Sequence, residues 1–214
     1  MVKKDLSTLR QEYAAASLDE SSVLRDPMGQ FAAWFDQAMD AGVTEPNAMT
    51  LATADGSGRP SARVLLLKEL DGKGFVFYTN YQSHKGRDLD VNPRASMVFL
   101  WLELQRQVRI EGRVEKISPE ESDAYFSSRP RESQLGAIVS PQSSVVPDRE
   151  FLEKRFREAE ESLRGQTPAR PEHWGGYRLL PDTVEFWQGR IGRLHDRLLF
   201  TRVETGWKLE RLAP

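Results

Sequence analysis

Short apolar segments separated by closely spaced turn signals are the feature of this 214-residue sequence that most restricts its fold. Asp55-Gly56 follows the apolar-rich segment Ala48 to Ala54, and Asp71-Gly72 stands between Val64 to Leu67 and Phe75 to Thr79. Asp-Gly between two apolar runs is typical of a β-hairpin. We therefore predict that the run ending at Leu67 pairs with the run starting at Phe75.

Further strands are predicted wherever apolar residues are grouped or alternate with polar ones. The longest apolar run, Ala95 to Leu102, is too short to span a bilayer and is typical of a buried strand. Val108, Ile110 and Val114 alternate with polar residues, which predicts a strand with one buried face. The remaining strands are expected at residues 176–180 with an extension at 184–187, 198–203 and 207–212. Six or more strands with close turns favour a barrel over an open sheet, so we predict a mainly β fold with peripheral helices.

Helix start signals precede several segments. Asp26-Pro27 joins an N-cap acceptor to a proline at the first helical position, and Phe31, Trp34 and Ala38 follow at helical spacing. Further helices are predicted after the capping residues Ser83, Ser118 and Asp148. The first 25 residues are polar and are expected to form a mobile arm, while residues 26–214 form one domain.

Composition excludes several classes of function. The chain has no cysteine, which removes disulfides, thiolate nucleophiles and cysteine-ligated metals. Its net charge of -2 disfavours a nucleic-acid-binding barrel, because affinity for phosphate backbones needs an excess of positive charge. No glycine-rich nucleotide motif occurs, and the three histidines lack metal-ligand spacing, so no metal site is expected. Because the N-terminal residues lack an apolar export segment, we expect a cytoplasmic protein.

Basic residues are concentrated at predicted strand ends and at one helix start. Arg63 opens and Lys68 closes one strand, and Ser83-His84-Lys85 lies at a helix N-terminus, where anions bind readily. Arg193 and Arg197 lie with His195 in a glycine-containing turn. For any single residue a solvated surface charge is the commoner explanation, but the set as a whole favours a barrel that binds one or two small phosphorylated molecules.

Other polar and aromatic side chains leave two interpretations open. Trp187 can stack on a flat ring or, more commonly, fill the core. Gln107, Gln142 and Ser143 can contact the edge of a heterocycle or satisfy loop backbone.

An ordered series of motifs carries a family resemblance. The motifs are Arg-Val-Leu-Leu-Leu-Lys (63–68), Phe-Tyr-Thr-Asn (77–80), Arg-Gln-Val (106–108), Tyr-Phe-Ser-Ser-Arg-Pro (125–130), Ser-Gln-Leu-Gly-Ala (133–137), Ser-Pro-Gln-Ser-Ser (140–144), Glu-Phe-Trp-Gln-Gly (185–189) and Arg-Leu-His-Asp-Arg (193–197). Together they resemble the pyridoxamine 5′-phosphate oxidase family over nearly the whole chain, from about Arg10 to Pro214. The ordered set is specific, although each motif alone is weak.

The resemblance implies a split β-barrel and a homodimer that binds FMN across its subunit interface. It implies oxidation of pyridoxamine or pyridoxine 5′-phosphate to pyridoxal 5′-phosphate, with oxygen as acceptor, hydrogen peroxide as product and ammonia released from the amine. The protein's part is to bind and orient, since the flavin carries the chemistry.

The same resemblance assigns site residues by position. The FMN-binding residues are Arg63, Val64, Leu65, Leu66, Leu67, Lys68, Tyr78, Thr79, His84, Lys85, Gln107, Gln142, Ser143, Trp187 and Arg197. The substrate-binding residues are Arg10, Tyr13, Lys68, Tyr125, Arg129, Ser133, Arg193 and His195, of which Arg193 and His195 are catalytic. Residues 10–13 resemble a segment that folds over the occupied site.

Two features of the sequence qualify this assignment. Position 84 is His where the family more often has Arg, which is expected to weaken phosphate binding or make it pH-dependent. For His195, a hydrogen bond to Asp196 or to backbone is the alternative to proton transfer. The competing functions are another flavin or deazaflavin oxidoreductase on the same barrel and a non-catalytic carrier of pyridoxal phosphate or flavin.

Overall fold

The computed structural model describes residues 13–214, so the predicted site residue Arg10 lies outside the described residues. Packing divides the chain into two compact units. The first unit comprises the described residues up to 48 together with Val98–Ile110 and Asp182–Pro214, and the second comprises Met49–Met97 and Glu111–Pro181.

The described residues form nine strands, five α-helices and two short 3₁₀ turns. The strands are β1 (Ala48–Ala54), β2 (Pro60–Leu66), β3 (Glu69–Leu70), β4 (Phe75–Asn80), β5 (Arg94–Trp101), β6 (Arg106–Lys116), β7 (Trp174–Gln188), β8 (Asp196–Val203) and β9 (Gly206–Arg211). The helices are α1 (Pro27–Asp40), α2 (His84–Val91), α3 (Pro119–Ser128), α4 (Arg131–Val139) and α5 (Arg149–Ser162). The strand order is β2-β1-β5-β6-β7-β4-β3, and β8 pairs with both β7 and β9.

In the first unit, α1 and the last strands carry much of the apolar core. The Asp26 carboxylate accepts hydrogen bonds from the backbone N–H groups of Met28 and Gly29, so the helix begins where the sequence predicts. Trp34 packs edge-on against Phe186, with ring centroids 5.2 Å apart. Phe186 and its antiparallel partner Leu198 are fully buried, which fixes the β7–β8 register.

In the second unit, β4 pairs antiparallel with the first half of β7, with Phe75 opposite Leu179 and Asn80 opposite Trp174. The Ser118 capping box starts α3 as predicted. Arg178 is buried on β7, and its guanidinium contacts the carboxylates of both Asp71 and Glu121. This double ion pair ties the β3–β4 turn to the start of α3.

The structure corrects several sequence predictions. The hairpin at Asp71-Gly72 joins β3 to β4, whereas β2 lies beside β1, because the chain changes its partner strand after Leu66 and the Lys68 N–H already donates to the Val76 carbonyl oxygen of β4. Arg63 is therefore inside β2, not at its start. The segment predicted as a buried strand, Ala95 to Leu102, alternates instead, with Leu100 55% exposed, because a uniformly apolar run hides its two-residue period. Helix α4 was not predicted, since its start lacks a side-chain cap.

Two kinds of feature are absent from residues 13–214. No helix there combines the length and apolar character needed to cross a bilayer. Within the same range, no three His, Asp or Glu side chains are grouped so that they could hold a metal ion.

Candidate active site

The second unit contains a buried cation with only neutral oxygen partners. The Lys85 side chain is 6% exposed, and its ammonium donates to Thr79 Oγ1 at 3.1 Å, Gln142 Oε1 at 3.1 Å and Ser83 Oγ at 3.3 Å. Within the described part of the chain Lys85 forms no ion pair. Burial, together with the positive charge of Arg63, lowers its pKa to about 8. We call Arg63, Thr79, Ser83, Lys85 and Gln142 the anion cluster.

Local structure places Lys85 in this cluster. Ser83 caps α2 and puts Lys85 in its first turn, where the helix dipole favours an anion. Gly86 follows, and a Cβ at this position would lie 2.0 Å from the carbonyl oxygen of Tyr81. Only glycine therefore allows the helix to start this close to the chain that leaves β4.

Arg63 reaches the cluster from β2. Its Nη1 donates to Thr53 Oγ1 at 2.8 Å and to the Leu51 carbonyl oxygen at 3.2 Å, and its Nη2 contacts Ser61 Oγ. Burial lowers the Arg63 pKa, and the charge of Asp88 opposes that effect. Two basic groups are therefore held near each other, which is the arrangement that suits a phosphate.

A second candidate anion site lies in the same unit. Arg129, Ser133, Gln142 and Trp174 are among the residues that line a cavity of about 300 Å³. Arg129 Nη1 is buried and has no hydrogen-bond partner among the described residues. The guanidinium carbon lies 4.7 Å from the centroid of the Trp174 ring, which supports its position by a cation–π contact. Gln142 belongs to both sites.

Three aromatic rings are stacked in the second unit. Tyr78 and Tyr125 have centroids 3.8 Å apart, and Tyr78 stacks on Trp174 at 5.4 Å. Burial is the main cause that raises the Tyr78 pKa to about 12, so its phenol stays neutral at physiological pH. The stack joins β4, α3 and β7 and fixes Tyr125, one of the predicted substrate-binding residues.

The first unit contains a separate aromatic cluster. Tyr13 packs edge-on against Trp187 at 5.8 Å and against the His195 ring at 5.8 Å, and Trp187 lies 4.6 Å from His195. Gly189 permits this approach, because a Cβ there would lie 2.8 Å from Tyr13 Cβ. The next residues are also held, since Gln105 Oε1 accepts the backbone N–H of Ala14 at 2.9 Å. Three sequence-predicted residues are thus brought together.

One ring nitrogen of His195 takes part in a hydrogen bond with the backbone. Its Nδ1 accepts a hydrogen bond from the backbone N–H of Arg190 at 3.1 Å, which matches the backbone role considered as the alternative for this residue. In the neutral ring, Nε2 then carries the proton. Arg193 is exposed and has left-handed backbone, with φ of 62°, a conformation that concentrates at functional sites.

Arg197 is bound to a buried carboxylate. Its Nε and Nη2 contact the two oxygens of Glu185 at 2.8 and 3.1 Å, and Nη1 donates to the Ala213 carbonyl. Arg109 also approaches Glu185, at 3.3 Å. Glu185 belongs to the motif Glu-Phe-Trp-Gln-Gly (185–189), but the sequence analysis assigned no function to it. A carboxylate in an apolar strand is the signal that indicates a partner of opposite charge.

The remaining predicted residues occupy varied environments. Val64 and Lys68 are exposed, Leu65 and Leu66 are partly exposed, and Leu67 is buried. Gln107 is partly exposed on β6 in the first unit. Ser143 is exposed with φ of 70°, and His84 is exposed on α2, with Nε2 3.5 Å from Asp88. The site residues that the sequence analysis did not identify are Thr53, Asp88, Trp174 and Glu185, whereas Ser83 was predicted as the helix cap in the anion-binding segment.

Comparison with protein families covers most of the chain. A family model described as pyridoxamine 5′-phosphate oxidase matches residues 35–162. A second, described as the pyridoxine 5′-phosphate oxidase C-terminal dimerisation region, matches residues 174–214. These matches include both candidate anion sites and the strands that carry Trp187 and Arg197.

Similar individual proteins carry the same family name. A pyridoxine/pyridoxamine 5′-phosphate oxidase of Paraburkholderia phymatum is 59% identical over 210 residues, covering 98% of this chain and 99% of that one. A protein of the same name from Burkholderia mallei is 57% identical over 212 residues, with 98% and 99% coverage.

Solved structures show the same fold. PhzG of Burkholderia lata, in complex with tetrahydrophenazine-1-carboxylic acid, superposes with a TM-score of 0.89 at 32% identity, covering 95% of this chain and all of that one. An FMN-binding protein from Nostoc punctiforme, related to pyridoxamine 5′-phosphate oxidase, gives a TM-score of 0.72 at 18% identity, with 86% and 97% coverage, and supports the fold alone. The predicted fold class, a mainly β split barrel with peripheral helices, is confirmed. The chain belongs to the pyridoxamine 5′-phosphate oxidase family.

Proposed function

We propose that this protein is an FMN-dependent oxidase that converts pyridoxamine 5′-phosphate and pyridoxine 5′-phosphate to pyridoxal 5′-phosphate. Oxygen is the acceptor, hydrogen peroxide is formed, and the amine substrate also releases ammonia. The observation that carries the proposal is the buried Lys85 ammonium, which faces three neutral oxygens and forms no ion pair within residues 13–214. A buried cation without a counter-charge is costly, and a bound phosphate removes that cost.

The anion cluster in the second unit fits the phosphate of FMN. Lys85 and Arg63 supply the positive charge, while Thr79 and Gln142 offer hydrogen-bonding side chains beside Lys85. The family resemblance adds the strand residues Val64 to Lys68, Tyr78, His84 and Ser143 to the cofactor contacts. It also adds Gln107, Trp187 and Arg197 of the first unit.

The Arg129 cavity fits the phosphate of the substrate. Arg129 Nη1 is buried without a partner among the described residues, and Ser133 lines the same cavity. A phosphate monoester would accept from both side chains, and it would satisfy the unpaired guanidinium nitrogen. Tyr125 is fixed beside this region by its stack with Tyr78, and Lys68 completes the set by resemblance.

When bound, FMN would supply the hydride-acceptor chemistry that oxidises the exocyclic carbon of the substrate, with oxygen as the final acceptor. The chain's own contribution is alignment, because two phosphate clamps hold two flat rings in a fixed relation. His195 presents Nε2–H in the neutral state, since Nδ1 is bound to the Arg190 backbone. We assign His195 and Arg193 to the reacting end of the substrate, where they position the amine or alcohol and its proton.

The assembly and organisation of the protein are part of the proposal. The dimerisation-region match favours a homodimer, with FMN at the subunit interface. We propose that residues 26–214 form the FMN-binding domain and that the residues before them form an arm, of which residues 1–12 lie outside the described residues. A cytoplasmic location stays a prediction from sequence.

The rival function is oxidation of a different reduced ring, because the structurally similar PhzG was solved with a tetrahydrophenazine acid. Oxygen uptake by the FMN-loaded protein distinguishes the two. We expect uptake with either vitamin B6 phosphate, an aldehyde product trapped by phenylhydrazine, and loss of turnover when the substrate phosphate is removed. Uptake with the tetrahydrophenazine acid alone would establish the rival function. FMN binding without turnover of any of these compounds would favour a carrier.

A further inference from the structure

Asp88 is a buried carboxylate that lies behind the anion cluster. Its side chain on α2 is 3% exposed, and its two oxygens have different partners. Oδ2 accepts from Thr53 Oγ1 at 2.6 Å, and Oδ1 lies 3.5 Å from His84 Nε2. A carboxylate so close to a site for phosphate is unexpected, because its charge repels an anion.

The directions of the two hydrogen bonds at the Thr53 hydroxyl indicate what the Asp88 carboxylate contributes. The Thr53 hydroxyl donates its only hydrogen to Asp88, so its oxygen can only accept from Arg63 Nη1, at 2.8 Å. Arg63 forms no direct ion pair among the described residues, since the Thr53 hydroxyl stands between the guanidinium and the carboxylate. The charge of Arg63 is therefore held in place without being cancelled.

We propose that Asp88 is a positioning residue for the cofactor phosphate, and that it acts through the Thr53 hydroxyl to orient the Arg63 guanidinium. The inference rests on the proposed function, because the phosphate is that of FMN. His84, which the family resemblance placed among the FMN-binding residues, contacts this carboxylate and supports the same network. The ligand chemistry is a phosphate monoester on a flavin.

The direction in which FMN affinity changes on Asp88→Asn distinguishes a positioning role for Asp88 from simple charge repulsion. If Asp88 acted only by repulsion, Asp88→Asn would bind FMN more tightly. Positioning predicts weaker binding, because an Asn at this position can donate to Thr53 and compete with Arg63 for the hydroxyl oxygen. The loss should be confined to ligands that carry the phosphate.

The test measures flavin binding to the FMN-free protein, with quenching of flavin fluorescence as the signal of binding. Riboflavin is the internal control, since it has the same ring and side chain but no phosphate. We expect Asp88→Asn and Thr53→Val each to raise the Kd for FMN by about tenfold or more, with riboflavin binding changed by less than about twofold. Thr53→Ser keeps the hydroxyl and should restore FMN binding.

Two further variants complete the design. Asp90→Asn removes a carboxylate from the same helix, but one that is half-exposed and paired with Lys116 at 3.0 Å, and it should leave the FMN-to-riboflavin ratio unchanged. In an Arg63→Met background, Asp88→Asn should cause no further loss of FMN affinity. Unchanged or tighter FMN binding by Asp88→Asn and Thr53→Val would overturn the inference. Failure of the unsubstituted protein to bind FMN would instead overturn the proposed function.

Discussion

The ammonium nitrogen of Lys85 lies 3.1 Å from the side-chain oxygen of Gln142, although 57 residues separate the two along the chain. Gln142 also lines the cavity that contains the unpaired nitrogen of Arg129. One neutral side chain therefore connects the two places in the second unit where positive charge is buried without a counter-ion among the described residues. Both features are explained by ligands that bring their own negative charge.

The first prediction concerns the pH dependence of FMN binding. The Lys85 pKa in the FMN-free protein is about 8, and the FMN phosphate is mainly a dianion above pH ~6. Affinity should be nearly constant between about pH 7 and 8, and then fall by up to about tenfold per pH unit as Lys85 loses its proton. Titrations with FMN and riboflavin between pH 7 and 9.5 check this. An equal decline for riboflavin would show that Lys85 does not bind the phosphate.

The second prediction concerns the stability of the FMN-free protein. The folded-state pKa of Lys85 is lowered from 10.5 to about 8, so below pH 8 the folded protein carries a buried charge that destabilises it. Between about pH 8 and 10.5 the unfolded chain binds more protons, and stability therefore rises with pH. Lys85→Met removes this rise, and its stability relative to the unsubstituted protein should fall by about 1–3 kcal/mol from pH 7 to 10. Urea unfolding at fixed protein concentration measures the difference, and a pH-independent difference would contradict the account.

The third prediction concerns Arg129. Arg129→Leu removes the proposed partner of the substrate phosphate, so the KM for pyridoxine 5′-phosphate should rise at least about 30-fold, equal to ~2 kcal/mol. The Kd for FMN should change little. Arg131→Leu is the matched control, because Arg131 is exposed and donates to the carbonyl oxygens of Leu163 and Gln166 near the end of α5. Equal effects of the two variants on KM would remove Arg129 from the substrate site.

The fourth prediction concerns Gly189. A Cβ at this position would lie 2.8 Å from Tyr13 Cβ, so Gly189→Ala forces Tyr13 away from Trp187 and His195. If the Tyr13 segment covers bound substrate, KM should rise by about tenfold while FMN binding is retained. Gly56→Ala serves as the control, because a Cβ at this position would lie 3.9 Å from its nearest neighbour, Val91 Cγ2. Steady-state kinetics that are the same for both variants would exclude a role for Tyr13.

The fifth prediction separates the two nitrogens of His195. His195→Asn places an oxygen near the position of Nδ1 and can still accept from Arg190, but it lacks Nε2. His195→Gln keeps a polar group near Nε2 and loses the Arg190 contact. If Nε2 acts on the substrate, His195→Asn should lower kcat by about 100-fold and alter its pH profile. Near-normal turnover and an unchanged profile would leave His195 with a structural role only.

Much of the fold could be predicted from local signals. Asp26, Ser83, Ser118 and Asp148 each cap the helix that the sequence assigned to them, because capping depends on neighbouring residues alone. Pairing was harder to predict, since β3 consists only of Glu69 and Leu70 and nothing local indicates that it replaces β2 in the hairpin.

The site was predictable in type but not in its supporting residues. Lys85 and Arg63 were identified because cations near a helix start and in an apolar strand suggest an anion site. Thr53 and Asp88 could not be identified, since they are 35 residues apart and their contact depends on packing within the second unit. The same is true of Glu185 and Arg197, whose ion pair forms between neighbouring strands.

The most direct test of the proposed function is the absorbance of the FMN-loaded protein during anaerobic addition of pyridoxine 5′-phosphate. The account predicts that the flavin bands bleach with this substrate and return when air is admitted, with pyridoxal 5′-phosphate formed in proportion to the flavin reduced. Flavin bands that persist with both pyridoxine and pyridoxamine 5′-phosphate would contradict it, even if FMN binds tightly.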